Sequence, residues 1–142
     1  MISREDIKKV LPHREPFLLI DEILEVEVGK CATAVWHVTE DFFAFPGHFP
    51  GNPVLPGVLM VEALAQAGAY AILLQDEFKG KLALFGGING VKFRGMVKPG
   101  DDLVLRSELT KISSLGGKAN AKATVNGKTV CEGEIMFVFA KE

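Results

Sequence analysis

The pattern of hydrophobic and polar positions predicts one long apolar helix and several short strands. From Gly57 to about Asp76 apolar residues occupy every side of a helical projection, so we expect a helix that is buried all round. The other apolar runs are short and are bounded by turn residues, which is typical of strands. These strand-like runs are residues 17–28, 31–38, 82–88, 90–97, 102–113, 118–125 and 129–139.

Turn residues between these runs predict antiparallel connections. Gly29-Lys30 joins the first two runs, and Asn126-Gly127 between the last two is a strong signal for a two-residue hairpin turn. Pro99–Asp101 is a further turn signal. Before the first strand, residues 3–10 are predicted to form a short helix, with Ser3 as its N-cap.

These elements predict an α+β fold in which a curled, mainly antiparallel, six-stranded sheet surrounds one long central helix. We expect a single domain over residues 1–142. A sheet of this size covers one side of the helix, so the Phe-rich segment (residues 39–56) or a second subunit must cover the other. We therefore expect the phenylalanines of this segment to pack inward, and we expect at least a homodimer.

Composition excludes several function classes. The formal net charge of −2 gives no basic field for nucleic-acid binding. Cys31 and Cys131 lie far apart without metal-ligand spacing, which favours reduced thiols and no metal site. No signal peptide is apparent, and Glu62 and Gln66 interrupt the longest apolar stretch, so we expect no membrane insertion and a cytoplasmic location.

The segment from His48 to Glu62 carries the most informative chemistry. Three prolines and two glycines lie between these two residues, an arrangement that favours a rigid, preorganised acid/base pair. Burial in the helix would raise the pKa of Glu62, and Gln66, four residues later on the same face, could orient it. The unperturbed pKa of a histidine, near 6.5, suits His48 to act as a base.

The start of the predicted helix adds a third chemical group. The amide nitrogens of Gly57 and Val58 would lie unsatisfied at the positive end of the helix dipole, where they suit an oxygen that gains negative charge. A base, an acid and an oxyanion site together describe proton abstraction next to a thioester carbonyl with loss of a β-hydroxyl group, which is a dehydration.

Structural interpretations of the same residues stay open at this point. An isolated histidine such as His48 is often a structural residue, and Glu62 could be half of a buried ion pair. Gly57 could simply begin the helix. His13 and His37 lack partners at metal-ligand spacing, and we interpret both as structural.

Three basic residues, Lys92, Arg94 and Lys98, lie close together in the sequence, with Lys92 and Arg94 on one strand face. A solvated surface is the ordinary interpretation of such a run. The functional alternative is a basic patch that docks an acidic carrier protein.

The segment 48–66 reads HFPGNPVLPGVLMVEALAQ. It is very similar to the signature of one enzyme family, the β-hydroxyacyl-[acyl-carrier-protein] dehydratases of type II fatty acid synthesis. Residues 11–21, 87–94 and 97–101 resemble its N-terminal and late-strand motifs. The likeness extends over nearly the whole chain.

The resemblance implies a hot-dog fold, a double hot-dog dimer and, commonly, a trimer of such dimers. It implies an active site shared between subunits, in which His48 takes the C2 proton of a (3R)-hydroxyacyl thioester. Glu62 of the partner subunit then assists loss of the C3 hydroxyl as water, giving the trans-2-enoyl product. Acyl carrier protein would deliver the substrate on its phosphopantetheine, with no other cofactor and no metal.

The resemblance also implies roles for residues around this pair. The amide of Gly57 would hold the thioester oxygen, and Val58 and Gln66 would contribute to the same substrate-binding site. Phe49 and Pro50 would line the site beside an apolar tunnel for the acyl chain.

Four positions modify what the resemblance implies. Glu62 and Val58 stand where the related dehydratase/isomerase branch has Asp and Cys, which favours plain dehydration over isomerisation. Leu84 and Asn89 stand where family members often carry Tyr and Asp, so an aromatic gate over the tunnel would depend on Phe85. The alternatives are a hot-dog acyl thioesterase, a dehydratase with some isomerase activity, and a non-catalytic acyl-binding subunit.

Overall fold

The computed structural model describes residues 1–141, in which one antiparallel sheet curls around one long helix. Glu142, the last residue of the predicted domain, lies outside the described residues. The strand order is β1-β2-β3-β5-β6-β7-β4, and every neighbouring pair is antiparallel. The elements are β1 (Ile2–Ser3), α1 (Arg4–Ile7), β2 (Glu22–Glu27), β3 (Cys31–His37), α2 (Gly57–Leu73), β4 (Lys81–Phe93), β5 (Asp102–Ile112), β6 (Gly116–Val125) and β7 (Lys128–Lys141). The predicted α+β fold class is confirmed.

The sheet has seven strands, where six were expected although seven strand-like runs were identified in the sequence. The runs 82–88 and 90–97 form the single strand β4, whose pairing with β7 shifts register at two irregularities instead of breaking. The two-residue strand β1 has too few residues to give an alternating pattern, and it was not predicted.

The first predicted strand, residues 17–28, begins only at Glu22. Backbone N–H and C=O groups before Glu22 form hydrogen bonds outside the sheet. The N–H groups of Phe17 and Leu18 donate to the carbonyl of Arg14, and the Arg4 guanidinium donates to the carbonyls of Leu18 and Ile20. This irregular segment therefore packs over the start of the fold and leads to the site described below.

Helix α2 is buried as predicted: from Met60 to Leu73 every residue except Glu62 is buried. The helix lies close to the sheet, since a Cβ placed on Gly68 would be 3.1 Å from the ring of Phe137. The hydroxyl of Ser107 on β5 donates to the carbonyl of Leu64 at 2.7 Å. Alternate residues of β5 face the helix, with Leu103, Leu105 and Ser107 buried.

The predicted turns and cap are confirmed. Asn126 and Gly127 have φ values of 50° and 80°, as a type I′ hairpin turn requires. The Ser3 hydroxyl accepts the N–H of Asp6 at 3.3 Å and so caps α1, which ends at Ile7 and not at residue 10. None of the helices within residues 1–141 is long and apolar enough to cross a lipid bilayer.

Inward packing of the Phe-rich segment is only partly confirmed. Phe45 is buried, and Phe42 packs edge-on against Trp36 with ring centroids 5.1 Å apart. Phe43 and Phe49 are 56% and 52% exposed in the single chain.

Candidate active site

Glu62 is the one residue between Met60 and Leu73 of α2 that is not classed as buried, and even so its side chain is only 16% exposed. Burial raises the pKa of this carboxyl above its usual range, although a hydrogen bond from Gln66 acts in the opposite direction. A carboxylic acid with a raised pKa can stay protonated near neutral pH and donate that proton. The sequence prediction of a raised pKa agrees with this direction.

Gln66 fixes the position of the Glu62 side chain. Its Nε2 donates to Oε2 of Glu62 at 2.9 Å and to the carbonyl oxygen of Phe17 at 2.8 Å. Its Oε1 accepts the N–H of Leu19 at 2.9 Å, so three contacts hold the amide in one orientation. The contact between Glu62 and Gln66 follows from their i, i+4 spacing on the helix.

An apolar cavity of about 160 Å³ adjoins Glu62. Leu84 and Phe85 from β4 line it together with Phe137 from β7, and Phe17 lies on another side. The side chains of Leu84 and Phe85 are 49% and 41% exposed in the single chain, so both lie where the cavity meets the surface. The mostly apolar walls keep the nearby carboxyl poorly hydrated.

His13 also lines this cavity, although the sequence interpretation treated it as structural. Its Nε2 lies 3.7 Å from Oε2 of Glu62. Burial, assisted by the charge of Arg14, lowers the pKa of the imidazole. No spacing rule connects His13 to Glu62, because the two residues meet only through the irregular segment that precedes β2.

His48 follows a 3₁₀ turn over Phe45–Gly47 and is held by its own loop. Its Nδ1 lies 2.7 Å from the carbonyl oxygen of Val54, and its ring stacks on Phe49 with centroids 4.1 Å apart. A carbonyl can only accept, so Nδ1 carries the proton and donates it. The lone pair of a base at this position is therefore the one on Nε2.

Within one chain, His48 and Glu62 are not brought together. No hydrogen bond or ion pair joins them in residues 1–141, and His48 is absent from the lining of the Glu62 cavity. The two halves of the predicted pair are each well positioned, but in separate places.

The start of α2 has the free amides that the sequence predicted. Pro56 precedes the helix without a side-chain cap, and no hydrogen bond to the N–H of Gly57 or Val58 is made within residues 1–141. A Cβ on Gly57 would lie 2.8 Å from the ring of Phe93, so a larger residue here would require that exposed ring to move. Val58 is 72% exposed, and Pro50 in the preceding loop is also exposed.

The three basic residues separate into two places. Lys92 and Arg94 line one depression on the sheet, where Arg94 pairs with Glu132 at 2.7 Å. Lys98 instead lines a depression beside Phe49. All three cations are exposed. Within the described part of the chain, no group of three or more His, Cys, Asp and Glu residues is arranged to hold a metal ion.

Comparisons with known proteins agree with the resemblance seen in the sequence. The model of the FabA-like domain family matches residues 11–134. A curated 3-hydroxyacyl-[acyl-carrier-protein] dehydratase FabZ from Clostridium botulinum (strain Loch Maree / Type A3) is 57% identical over 136 residues, which are 96% of this chain and 94% of that protein. The protein of the same name from Caldicellulosiruptor bescii is 53% identical over 137 residues, covering 96% of this chain and 98% of its own.

Solved structures with lower identity share the fold. The dehydratase heterocomplex ApeI:P from Xenorhabdus doucetiae superposes with a TM-score of 0.81 at 19% identity, over 96% of this chain and 91% of that one. A hypothetical thioesterase with coenzyme A from Streptococcus pneumoniae gives 0.65 at 11% identity, over 85% and 86% of the two chains. At these identities the likeness concerns the hot-dog architecture alone.

Proposed function

This chain belongs to the FabA-like domain family, and on that premise we propose that His48 and Glu62 carry out the dehydration of 3-hydroxyacyl-[acyl-carrier-protein] in fatty acid biosynthesis. The enzyme is a hydro-lyase of the 3-hydroxyacyl-[acyl-carrier-protein] dehydratase type. The observation that carries the residue assignment is the buried Glu62 carboxyl, held by Gln66 beside an apolar cavity and raised in pKa.

Each step of the reaction has a residue suited to it. The Nε2 lone pair of His48 takes a proton from C2, and the negative charge that develops on the thioester oxygen is met by the amide of Gly57. The C3–O bond then breaks as Glu62 gives its proton to the departing hydroxyl, which leaves as water. A C2=C3 double bond forms, and the trans-2-enoyl thioester is the product. Proton exchange with solvent restores both residues.

In a dimer, His48 and Glu62 from different subunits can lie close together. We propose that His48 of one subunit acts with Glu62 of the partner subunit. In support, β4 is an edge strand of 13 residues with one side unpaired, and it exposes a row of large apolar side chains. These side chains are Leu84, Phe85, Ile88 and Phe93. Pairing of β4 with a second copy would cover them, and a trimer of such dimers is the assembly we propose.

The substrate arrives on a carrier protein, and we propose that the basic residues receive it. Lys92 and Lys98 have no ion-pair partner within residues 1–141, whereas Arg94 is partly neutralised by Glu132. Reversing the charge of Lys92 and Lys98 is expected to raise the KM for carrier-bound substrate and leave that for a small thioester unchanged. Equal effects on both substrates would contradict this docking surface.

The remaining parts of the proposal concern the setting of the reaction. We infer that no cofactor is needed beyond the phosphopantetheine of the carrier, because protein groups are available for each proton transfer and for the oxyanion. We also propose a single hot-dog domain over residues 1–142 and a cytoplasmic location, which the free thiols of Cys31 and Cys131 support.

The deciding experiment supplies a β-hydroxyacyl thioester and follows enoyl absorbance. We expect enoyl formation with the natural chain and a loss of roughly 10³-fold or more in kcat for His48→Ala and Glu62→Gln, since each removes a proton-transfer group. Release of free thiol without enoyl formation would instead indicate a thioesterase. Turnover that survives both substitutions would contradict the roles given to these residues.

A further inference from the structure

The two oxygens of the Glu62 carboxyl have different surroundings. Oε2 accepts a hydrogen bond from Nε2 of Gln66 at 2.9 Å and lies 3.7 Å from Nε2 of His13. Oε1 has no hydrogen-bond partner within residues 1–141. A proton on Oε2 would face the donor of Gln66, so the proton of the neutral acid belongs on Oε1.

The position of the proton on His13 follows from its two nitrogens. Nδ1 is buried and has no hydrogen-bond partner in the described residues, whereas Nε2 faces the Glu62 carboxyl. Burial and the neighbouring Arg14 charge both lower the pKa of this imidazole, which favours the neutral ring. Its single proton is therefore best placed on Nε2, where it can donate to the carboxylate that forms when Glu62 loses its proton.

The backbone holds His13 in this position. The Arg14 guanidinium donates to the carbonyl oxygen of His13 at 2.7 Å and to that of Leu11 at 2.8 Å. The same irregular segment supplies the Phe17 carbonyl that orients Gln66. One segment of the fold thus orients Gln66 and places Nε2 of His13 3.7 Å from Oε2.

We propose that His13 is a positioning residue for the general acid: its neutral Nε2–H, together with Gln66, holds Oε2 of Glu62 and leaves Oε1 to give the proton to the C3 hydroxyl. This inference rests on the proposed function of Glu62. As the proton leaves, negative charge develops on the carboxyl, and the 3.7 Å contact tightens into a charge-assisted hydrogen bond.

The first test uses the unmodified protein. With only His13, His37 and His48 in the chain, ¹⁵N NMR of the histidine rings can be assigned from single substitutions. We expect His13 to be neutral with its proton on Nε2 between pH 6 and 8, roughly the range over which an unperturbed histidine titrates. A proton on Nδ1, or an imidazolium in this range, would overturn the proposal.

The second test compares three variants in the enoyl assay. His13→Leu removes the donor, and we expect kcat to fall roughly 10- to 100-fold with KM changed less than about twofold. His13→Gln keeps an N–H group and should recover most of kcat. His37→Leu makes the same change at an exposed histidine beside Asp102 on β3, and it should retain full kcat.

The pH profile separates positioning from a merely structural role. Activity is lost at high pH as the acid ionises, and a carboxylate that has lost a donor has a higher pKa. The high-pH limb of kcat should therefore move upward in His13→Leu and stay in place in His13→Gln. A lower kcat with an unmoved limb, or an unchanged kcat, would overturn the proposal.

The outcomes also distinguish this inference from the function on which it rests. If the natural chain forms no enoyl product, the proposed function fails. If the natural chain is active, Glu62→Gln is inactive and His13→Leu behaves like the natural chain, only the role of His13 fails. Should His13→Leu not fold, the NMR measurement on the natural chain decides alone.

Discussion

At the scale of single residues, Glu62 shows a conflict between activity and stability. In the proposed role of general acid it must stay protonated near neutral pH, and burial beside a mostly apolar cavity acts in that direction by raising its pKa. The same burial makes the ionised form costly, so the folded protein loses stability wherever Glu62 ionises. The hydrogen bond from Gln66 reduces this cost without removing it.

Glu62→Gln is therefore expected to stabilise the protein while abolishing dehydration. The pKa of Glu62 is higher in the folded state than in the unfolded one, so the natural chain loses stability as pH rises from about 4.5 through the raised value. The variant lacks this loss and should be more stable by about 1 kcal/mol above that range. In thermal melts, the difference in Tm between the variant and the natural chain should be larger at pH 8 than at pH 4. An equal difference at both pH values would contradict a raised pKa of Glu62.

The sequence predicted some residue contacts and missed others for a physical reason. Gln66 lies one helical turn from Glu62, so periodicity alone brings the two together. His13 reaches Glu62 only because the segment before β2 folds back through hydrogen bonds to Arg4 and Arg14. Such contacts arise from irregular backbone, for which sequence periodicity carries no information.

At the scale of elements, the irregular pairing of β4 with β7 depends on a glycine. The register shifts between Asn89 and Lys92, and this brings Val91 against β7 opposite Gly133. A Cβ on Gly133 would lie 2.8 Å from Cα of Val91, which is too close for any real side chain. The sequence predicted two strands here because a break at residue 89 also explains the pattern of apolar positions.

Gly133→Ala is expected to destabilise the protein by about 2 kcal/mol, because the backbone of β4 must move to admit the methyl group. The matched control is Gly47→Ala, since a Cβ at Gly47 would meet nothing within 4 Å and its backbone is not in the left-handed region. The control should change stability by less than about 0.5 kcal/mol. Urea unfolding at one fixed protein concentration measures the stability of both variants. Equal unfolding midpoints would contradict the view that the register shift requires glycine at position 133.

At the scale of the whole molecule, the single chain leaves surfaces that a second copy would explain. The edge strand β4 exposes apolar side chains beside the Glu62 cavity, and Phe49 is exposed next to His48. The sequence predicted a helix too apolar for one sheet to cover, and hence a homodimer. In the proposed dimer, the residues that complete each site would depend on how two copies pair, and no pattern within one chain specifies that arrangement.

Mixed dimers test whether each site takes its two residues from different subunits. Equal amounts of His48→Ala and Glu62→Gln chains, unfolded and refolded together, form heterodimers in half of all pairings. In a shared-site dimer one of the two heterodimer sites then has both natural residues. The mixture should recover about one quarter of natural activity, by the symmetry of a two-fold dimer. Sites built within one chain would recover none.

The reciprocal mixture provides the control and completes the argument. Natural chains refolded with the double variant His48→Ala/Glu62→Gln have no complete site in their heterodimers if the site is shared. Activity should then be about one quarter of that of the same total amount of natural chain. It should be about one half if each chain holds a complete site. The two mixtures should give about one quarter each if the site is shared, against none and about one half if it is not, and equal recovery of refolded protein from each variant is the condition for reading these fractions.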